Sequence, residues 1–419
     1  MIAIKPFKLN ILSPILIKKK ENLFYLTGRD LNNKADEFLL LTKNRAVAFG
    51  YGLEKIDWFE KVDRLKNIGK YLKGYKNLDI EYGFTYGEGK YLEYKIKDLG
   101  FKISVKPQRS PVDVIRQVKT QDEIILVRKS MQIVEKVFNL ARKEIKKPGM
   151  TEIKLAKFIQ NSGLKMGSED LAFPAIVASG NNAAVPHHVP QNKKLIPGES
   201  IILDFGFKYK NYCSDFTRTV FLKKVGSKKI EEAYNQVEKA YVGTIDFISN
   251  SLSSRPRPSA SEAERRDPLN LKKGIPLSAA LARNDKTLFA GDVYQKSVSI
   301  LAEKKLDKYF IHSLGHGTGL EIHELPNLSP KSKDIMQNGM VFSIEPGVYI
   351  KNLGGIRIED LVYLPSDSFH QNSITVGKKT TFDKNRKSVY NNKKNLEGEE
   401  LGRVKKFINV STKLINNIL

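Results

Sequence analysis

Residues 200–220 read Ser-Ile-Ile-Leu-Asp-Phe-Gly-Phe-Lys-Tyr-Lys-Asn-Tyr-Cys-Ser-Asp-Phe-Thr-Arg-Thr-Val. Two β-branched and aromatic runs flank a polar centre, the pattern of two strands joined by a tight turn. Each run carries one carboxylate, Asp204 in the first and Asp215 in the second. An acid inside an apolar strand costs free energy unless its charge is compensated. A two-residue turn at Tyr209-Lys210 makes the two acids direct cross-strand neighbours, with Cβ atoms about 5 Å apart. Anions that close repel unless a cation lies between them. Asn211 supplies a residue that tolerates positive φ near the turn.

The same construction recurs downstream. Glu345 stands in Phe342-Ser-Ile-Glu-Pro-Gly, and Glu359 in Gly355-Ile-Arg-Ile-Glu-Asp. Between them Lys351-Asn-Leu-Gly-Gly signals a turn. A hairpin centred on Asn352 pairs Glu345 with Glu359. Any one of these acids alone reads as the partner of a lysine or arginine. Two hairpins, each with an acidic pair in apolar strands, read instead as a cation site. Two divalent ions would neutralise the four carboxylates.

His316 lies between glycines in Ser313-Leu-Gly-His-Gly-Thr-Gly, followed by His323. Such glycines permit close backbone approach, and a neutral imidazole is a good ligand beside carboxylates. Taken alone, the segment reads as structural. Five of the six histidines, His187, His188, His312, His316 and His323, fall in or beside two segments, while His370 lies apart. An oxygen-rich donor set with one imidazole suits Mn²⁺ or Co²⁺, with Zn²⁺ as an alternative. The only cysteine is Cys213, which excludes a thiolate cluster and an internal disulfide.

At 419 residues the chain exceeds one ordinary domain. It lacks the roughly 20-residue apolar run of a membrane span, and its start lacks the apolar core of a secretory signal, so a cytoplasmic protein is expected. The net charge of +25 is carried mostly by scattered lysines. No arginine-aromatic stripe accompanies them, so nucleic acid is not the expected partner. Short strands are expected at 38–42 and 46–49, and helices at 61–75 and 86–99. Thr120 and Glu123 form a capping-box pattern ahead of Ile124, Val127, Met131, Val134 and Val137 at helical spacing. Thr151 caps a further helix running toward Asn161. Residues 249–288 shift to serine, proline and arginine and read as an inserted surface loop.

The order Asp204, Asp215, His316, Glu345, Glu359 resembles the metal-ligand order of the M24 "pita-bread" metallopeptidases. The flanking words agree: Asp-Phe-Gly, Ser-Asp-Phe-Thr-Arg-Thr, Gly-His-Gly-Thr-Gly, His-Glu-Leu-Pro, Ile-Glu-Pro-Gly-Val-Tyr and Arg-Ile-Glu-Asp. Asn22-Leu-Phe-Tyr-Leu-Thr-Gly resembles the creatinase-like N-terminal domain of the Xaa-Pro peptidases, which favours that branch. The resemblance implies an α+β fold, with a pita-bread domain at 119–365 preceded by a smaller α/β domain at 1–118; the polar, basic tail at 366–419 matches nothing in the family pattern. It implies an aminopeptidase or dipeptidase that uses two divalent ions on a peptide with proline second, and a homodimer. It gives His187 and His323 substrate-binding roles, makes Arg357 the residue that orients the acids, and sets His312 in the pocket wall. Glu345 is the expected proton shuttle. The sequence departs from the family pattern at Tyr294, where an acid is frequent, and at Asn211, where a glycine is usual. The alternative is a non-catalytic or weakened protein of the same fold that binds RNA or protein through its basic surface.

Overall fold

The computed structural model describes residues 11, 13–28, 38–43, 45–49, 62–63, 65–253 and 287–365. The tail, with its expected amphipathic stretch at 401–415, and most of the 249–288 segment lie outside them. The described residues form two compact units. One holds residues up to Gln117 together with Gly319–Leu325, and the other holds 118–253, 288–318 and 326–365.

The first unit is built on a six-stranded mixed sheet. Its strands are β1 (Ile15–Ile17), β2 (Phe38–Leu41), β3 (Ala46–Phe49), β4 (Val62–Asp63), β5 (Asn77–Glu81) and β6 (Ser104–Gln108). They are ordered β4-β3-β2-β1-β5-β6. β1, β2 and β3 are antiparallel neighbours, while β4, β5 and β6 add in parallel. Its helices are α1 (Lys20–Thr27), α2 (Gly69–Leu72), α3 (Tyr86–Asp98) and α4 (Pro111–Arg116). α3 starts at a Thr85/Glu88 capping box and buries Leu92 and Ile96, one turn apart, against Leu78 and Ile80 of the sheet. The continuous helix expected over 61–75 is not formed. That stretch holds β4, a 3₁₀ turn at Leu65–Asn67 and the short α2. The Phe101 ring occupies the place of a Cβ at Gly69, and Gly74 has φ +89°. Both glycines weaken a helix, and the second ends it.

The second unit begins with α5 (Gln121–Glu144), capped by the Thr120/Glu123 box as the sequence indicates. Its buried stripe runs Ile124, Val127, Met131, Val134, Val137, Phe138 and Ala141. Burying each large apolar side chain stabilises by about 1.5–3 kcal/mol before entropy is counted. α6 (Glu152–Lys165), capped by Thr151, extends past Asn161. Two long helices follow, α7 (Lys228–Ser253) and α8 (Ala290–Ala302), which pack on each other through Val237, Tyr241, Val293 and Ile300.

The strands of this unit are β7 (Asp170–Leu171), β8 (Ile176–Ser179), β9 (Ser200–Asp204), β10 (Phe207–Tyr209), β11 (Tyr212–Cys213) and β12 (Thr217–Phe221), then β13 (Gly315–Gly317), β14 (Glu324–Leu328), β15 (Val341–Ile344), β16 (Gly347–Ile350), β17 (Gly354–Arg357) and β18 (Asp360–Tyr363). Sheets run β11-β10-β7, β12-β9-β8, β14-β13-β15-β18 and β16-β17. Every residue of β9 is buried, its apolar centre Ile201-Ile202-Leu203 and its polar ends Ser200 and Asp204 alike. No helix among the described residues is long and apolar enough to cross a membrane.

Candidate metal centre

Both acidic hairpins form, and each strand breaks beside its acid. The second has the register read from the sequence. Ile344 faces Asp360 and Gly347 faces Arg357, which brackets Glu345 and Glu359 as opposed positions about Asn352, whose φ is +64°. The first differs. Tyr209 faces Tyr212, so the turn is Lys210-Asn211 rather than Tyr209-Lys210. Both turn residues have positive φ, +48° and +67°, as the turn that matches strand twist requires. Asp204 therefore faces Thr217, and Asp215 is offset by two residues along the opposing chain. The shift is even, so both acids remain on one face. Gly206 lets the backbones close there, since a Cβ would meet the Ser214 carbonyl oxygen at 1.8 Å.

Thr217 joins the two hairpins. It pairs with Asp204 on one side and forms an antiparallel bridge to Glu359 on the other. Its Oγ1 donates to Glu359 Oε2 at 2.5 Å and accepts from Arg357 Nε at 3.3 Å. Arg218 stiffens the same seam, donating twice to Asp360 at 2.9 Å and to the Glu359 carbonyl oxygen at 2.7 Å.

Asp204, Asp215 and Glu359 are all buried, and Glu345 is largely so. His316 Nε2, on β13, stands 3.5 Å from Asp215 Oδ2 and 3.4 Å from Glu345 Oε1. Ligand atoms of Asp215, His316 and Glu359 lie within 4.8 Å of one another. Ser343 Oγ donates to Glu345 at 3.2 Å and accepts the His316 amide at 3.1 Å.

Burial raises all four carboxyl groups above their ordinary range, and neighbouring acids add to it at Asp215, Glu345 and Glu359. Glu345 is pushed up to about 7, and Asp215 and Glu359 well above the usual carboxylate range. Arg357 opposes this. It is buried, ion-pairs with Asp204 and donates to Tyr349 Oη at 2.7 Å. Tyr349 Oη is also 2.9 Å from His312 Nε2. His312 Nδ1 donates to the Ser313 carbonyl oxygen at 2.7 Å, so Nε2 accepts the tyrosine proton. Burial first, and Arg357 second, hold His312 neutral, lowered to about 4.

These residues fit a divalent metal. Donors about 2.0–2.2 Å from one ion stand roughly 3–3.5 Å apart, the spacing found around His316. Among the described residues, Asp204 Oδ1 is buried without a hydrogen-bond partner. A buried acceptor left open beside three other acids is the arrangement a cation satisfies.

The other expected site residues are placed as follows. His187 is exposed, on the loop after the 3₁₀ turn Gly180–Ala184, and its charge acts on Asp204 and His312. His323 is exposed and lies in the 319–325 segment counted with the first unit. His188 is buried and bonded to Glu152 at 2.9 Å, a structural histidine. Sequence reasoning missed Thr217, Arg218, Ser343 and Tyr349. Strand parity signals Ser343, two residues before Glu345. Thr217 and Arg218 stood inside a quoted motif, but their partners lie more than a hundred residues away.

The model of metallopeptidase family M24 matches residues 126–250 and 277–365, leaving out 251–276 within the segment read as an insertion. The Xaa-Pro dipeptidase of Pyrococcus horikoshii is 31% identical over 365 residues, covering 85% of this chain and 91% of that protein. The putative Xaa-Pro aminopeptidase of Mycoplasma genitalium is 32% identical over 374 residues, 86% of this chain and 92% of that one. The crystal structure of the prolidase from Pyrococcus horikoshii OT3 superposes with a TM-score of 0.67 at 29% identity, over 84% of this chain and 91% of its own. The α+β pita-bread fold expected from the motifs is thereby shown.

Proposed function

The chain belongs to metallopeptidase family M24, and on that premise we propose that it is a metal-dependent exopeptidase hydrolysing the bond between an N-terminal residue and a following proline. Its similarity to Xaa-Pro dipeptidases and aminopeptidases over most of its length supports this substrate class. The observation that carries the reading is the set of four buried carboxyl groups and one imidazole gathered beside Arg357.

Asp204, Asp215, His316, Glu345 and Glu359 would hold two divalent ions. Mn²⁺ is favoured by the oxygen-rich set, with Co²⁺ or Zn²⁺ as alternatives. Bound there, such ions supply Lewis acidity toward the scissile carbonyl and lower the proton affinity of water. Glu345 takes the proton of the attacking water and returns it to the prolyl nitrogen as that bond breaks. Arg357 holds Asp204 in its ligating orientation through their ion pair. His187 binds the substrate and His323 contacts its carbonyl oxygen, while His312, held neutral, forms part of the wall. Residues 1–118 are the creatinase-like domain, 119–365 the catalytic domain with its insertion at 249–288, and 366–419 a basic tail. The protein acts in the cytoplasm as a homodimer.

A second reading, a binding protein of this fold, draws on the charge of +25. Metal analysis of the purified protein, with hydrolysis of Gly-Pro and Arg-Pro-Pro under Mn²⁺, tests the first. Substoichiometric metal, no turnover and a steep salt dependence of RNA binding would favour the second. Asp215→Ala is expected to be inactive; turnover like wild type from that variant removes the metal-centre reading.

A further inference from the structure

Glu152, the first residue of α6, is fully buried and takes no part in the donor set. Its Oε1 accepts from the Ser179 amide at 2.8 Å, from Ser179 Oγ at 2.7 Å and from Asn182 Nδ2 at 3.1 Å. Its Oε2 accepts from Asn182 Nδ2 at 3.1 Å, from His188 Nε2 at 2.9 Å and from the Gln191 amide at 3.1 Å. Burial pushes this carboxyl up, but the donors outweigh it and hold Glu152 below its ordinary value, so the anion is the resident form.

Every one of those donors comes from the stretch 179–191, from the end of β8 through the 3₁₀ turn into the loop after it, and they form two groups. Ser179 and Asn182 precede His187, while His188 and Gln191 follow it. Between the anchors, the Pro186 carbonyl oxygen accepts from Arg357 Nη1 at 3.4 Å, which ties the loop to the metal centre. His187 projects exposed from this span, and its charge acts on Asp204. A loop of this length orders itself poorly. Here one carboxylate on a helix ties both flanks, beside the Ile153 amide on the Gln191 carbonyl oxygen and Lys193 on Ser179.

We infer that Glu152 is a positioning residue for substrate binding, clamping the 179–191 loop so that His187 is presented beside the metal centre. The inference rests on the reading of His187 as a substrate-binding group. Misplacement of a binding group by even 1 Å carries a large kinetic cost. Because Glu152 touches no donor residue, its removal acts on substrate and not on metal.

The test is a double-mutant cycle on the full-length, Mn²⁺-loaded protein. KM and kcat are measured for Gly-Pro, and Mn²⁺ affinity by calorimetry without substrate. Glu152→Gln keeps the shape but turns an amide toward His188 and the Gln191 amide. It is expected to raise KM about tenfold or more, with Mn²⁺ affinity as in wild type. In a His187→Asn background the same substitution is expected to add nothing, because the clamp then holds no binding group. His188→Asn removes one donor from the other side, should shift KM in the same direction, and carries the cycle if Glu152→Gln does not fold. Effects that simply add to those of His187→Asn, or a loss of Mn²⁺ affinity with KM unchanged, overturn the inference. A wild-type KM for His187→Asn alone overturns the role given to His187 and the clamp with it. That outcome is distinct from one in which His187→Asn raises KM and Glu152→Gln has an independent effect.

Discussion

Thr217 and Glu359 exchange backbone hydrogen bonds, with the Thr217 amide 3.4 Å from the Glu359 carbonyl oxygen and the Glu359 amide 3.1 Å from that of Thr217. The threonine hydroxyl also donates to the glutamate carboxylate at 2.5 Å. One residue thus sets the aim of the Glu359 carboxylate, a proposed metal ligand, from the neighbouring hairpin while pairing with Asp204 on its other edge. Thr217→Val removes the hydroxyl and keeps the branch. Loss of such a supporting bond typically costs 10–100-fold in metal affinity, so Mn²⁺ titration calorimetry should show a fall of about tenfold or more, with Thr217→Ser near wild type. Unchanged affinity in Thr217→Val would mean that Glu359 is aimed by something else.

Metal-free protein should lose stability as pH rises toward neutrality. The four carboxyl groups have raised folded-state values, so their contribution is present below the unfolded values, 3.8 for the aspartates and 4.5 for the glutamates, and is lost as pH rises through the folded ones, about 7 for Glu345. His312, lowered to about 4, works the other way up to about 6.5. The carboxylates outnumber it, and above that pH they act alone. Thermal melts in EDTA between pH 5 and 8 should therefore give a falling Tm (roughly bounding the titration window), and saturating Mn²⁺ should abolish the trend. A Tm that climbs with pH in EDTA contradicts the assigned burial.

Arg218 is buried and its Nη2 donates to both Asp360 oxygens, of which Oδ2 also accepts from Tyr241 Oη at 2.8 Å. Arg218→Met leaves that carboxylate buried and short of its charge partner. Breaking one side of a buried pair costs about 3–5 kcal/mol. Urea denaturation of the Mn²⁺-loaded protein should show a loss of that order, and an unchanged midpoint would place Asp360 in a wetter setting than described.

The Lys210-Asn211 turn holds two non-glycine residues at positive φ. Lys210→Asn combined with Asn211→Gly installs the pair this turn favours. Relief of the unfavourable left-handed conformation should stabilise by about 1 kcal/mol, visible as a raised Tm with turnover unaffected. A lowered Tm would argue that the Lys210 side chain has a role of its own.

Much of the fold was legible locally. The Thr120/Glu123 capping box and the Thr151 cap sit at helix starts, and β3 spans the four residues read as a strand. The order and spacing of the acids pointed to a cation centre because apolar strands rarely carry carboxylates. The second hairpin's register followed from the loop around Asn352, where glycines leave one reading. The first hairpin offered two turns one residue apart, and strand periodicity cannot separate registers that differ by an even step. The turn that accommodates strand twist decided it.

By itself, then, the sequence determined that four acids stand in apolar strands, that two hairpins carry them and which face of each strand they share. Only the tertiary structure decided that Thr217 pairs with both Asp204 and Glu359, that Arg357 reaches Asp204, and that Glu152 holds the loop before and after His187. The reason is physical. Local pattern is set by turn dihedrals and by which alternate residues are apolar, whereas these pairings join residues far apart in the chain. They exist only because burying the hairpins between packed helices leaves their charges and hydrogen-bonding groups no partners but one another.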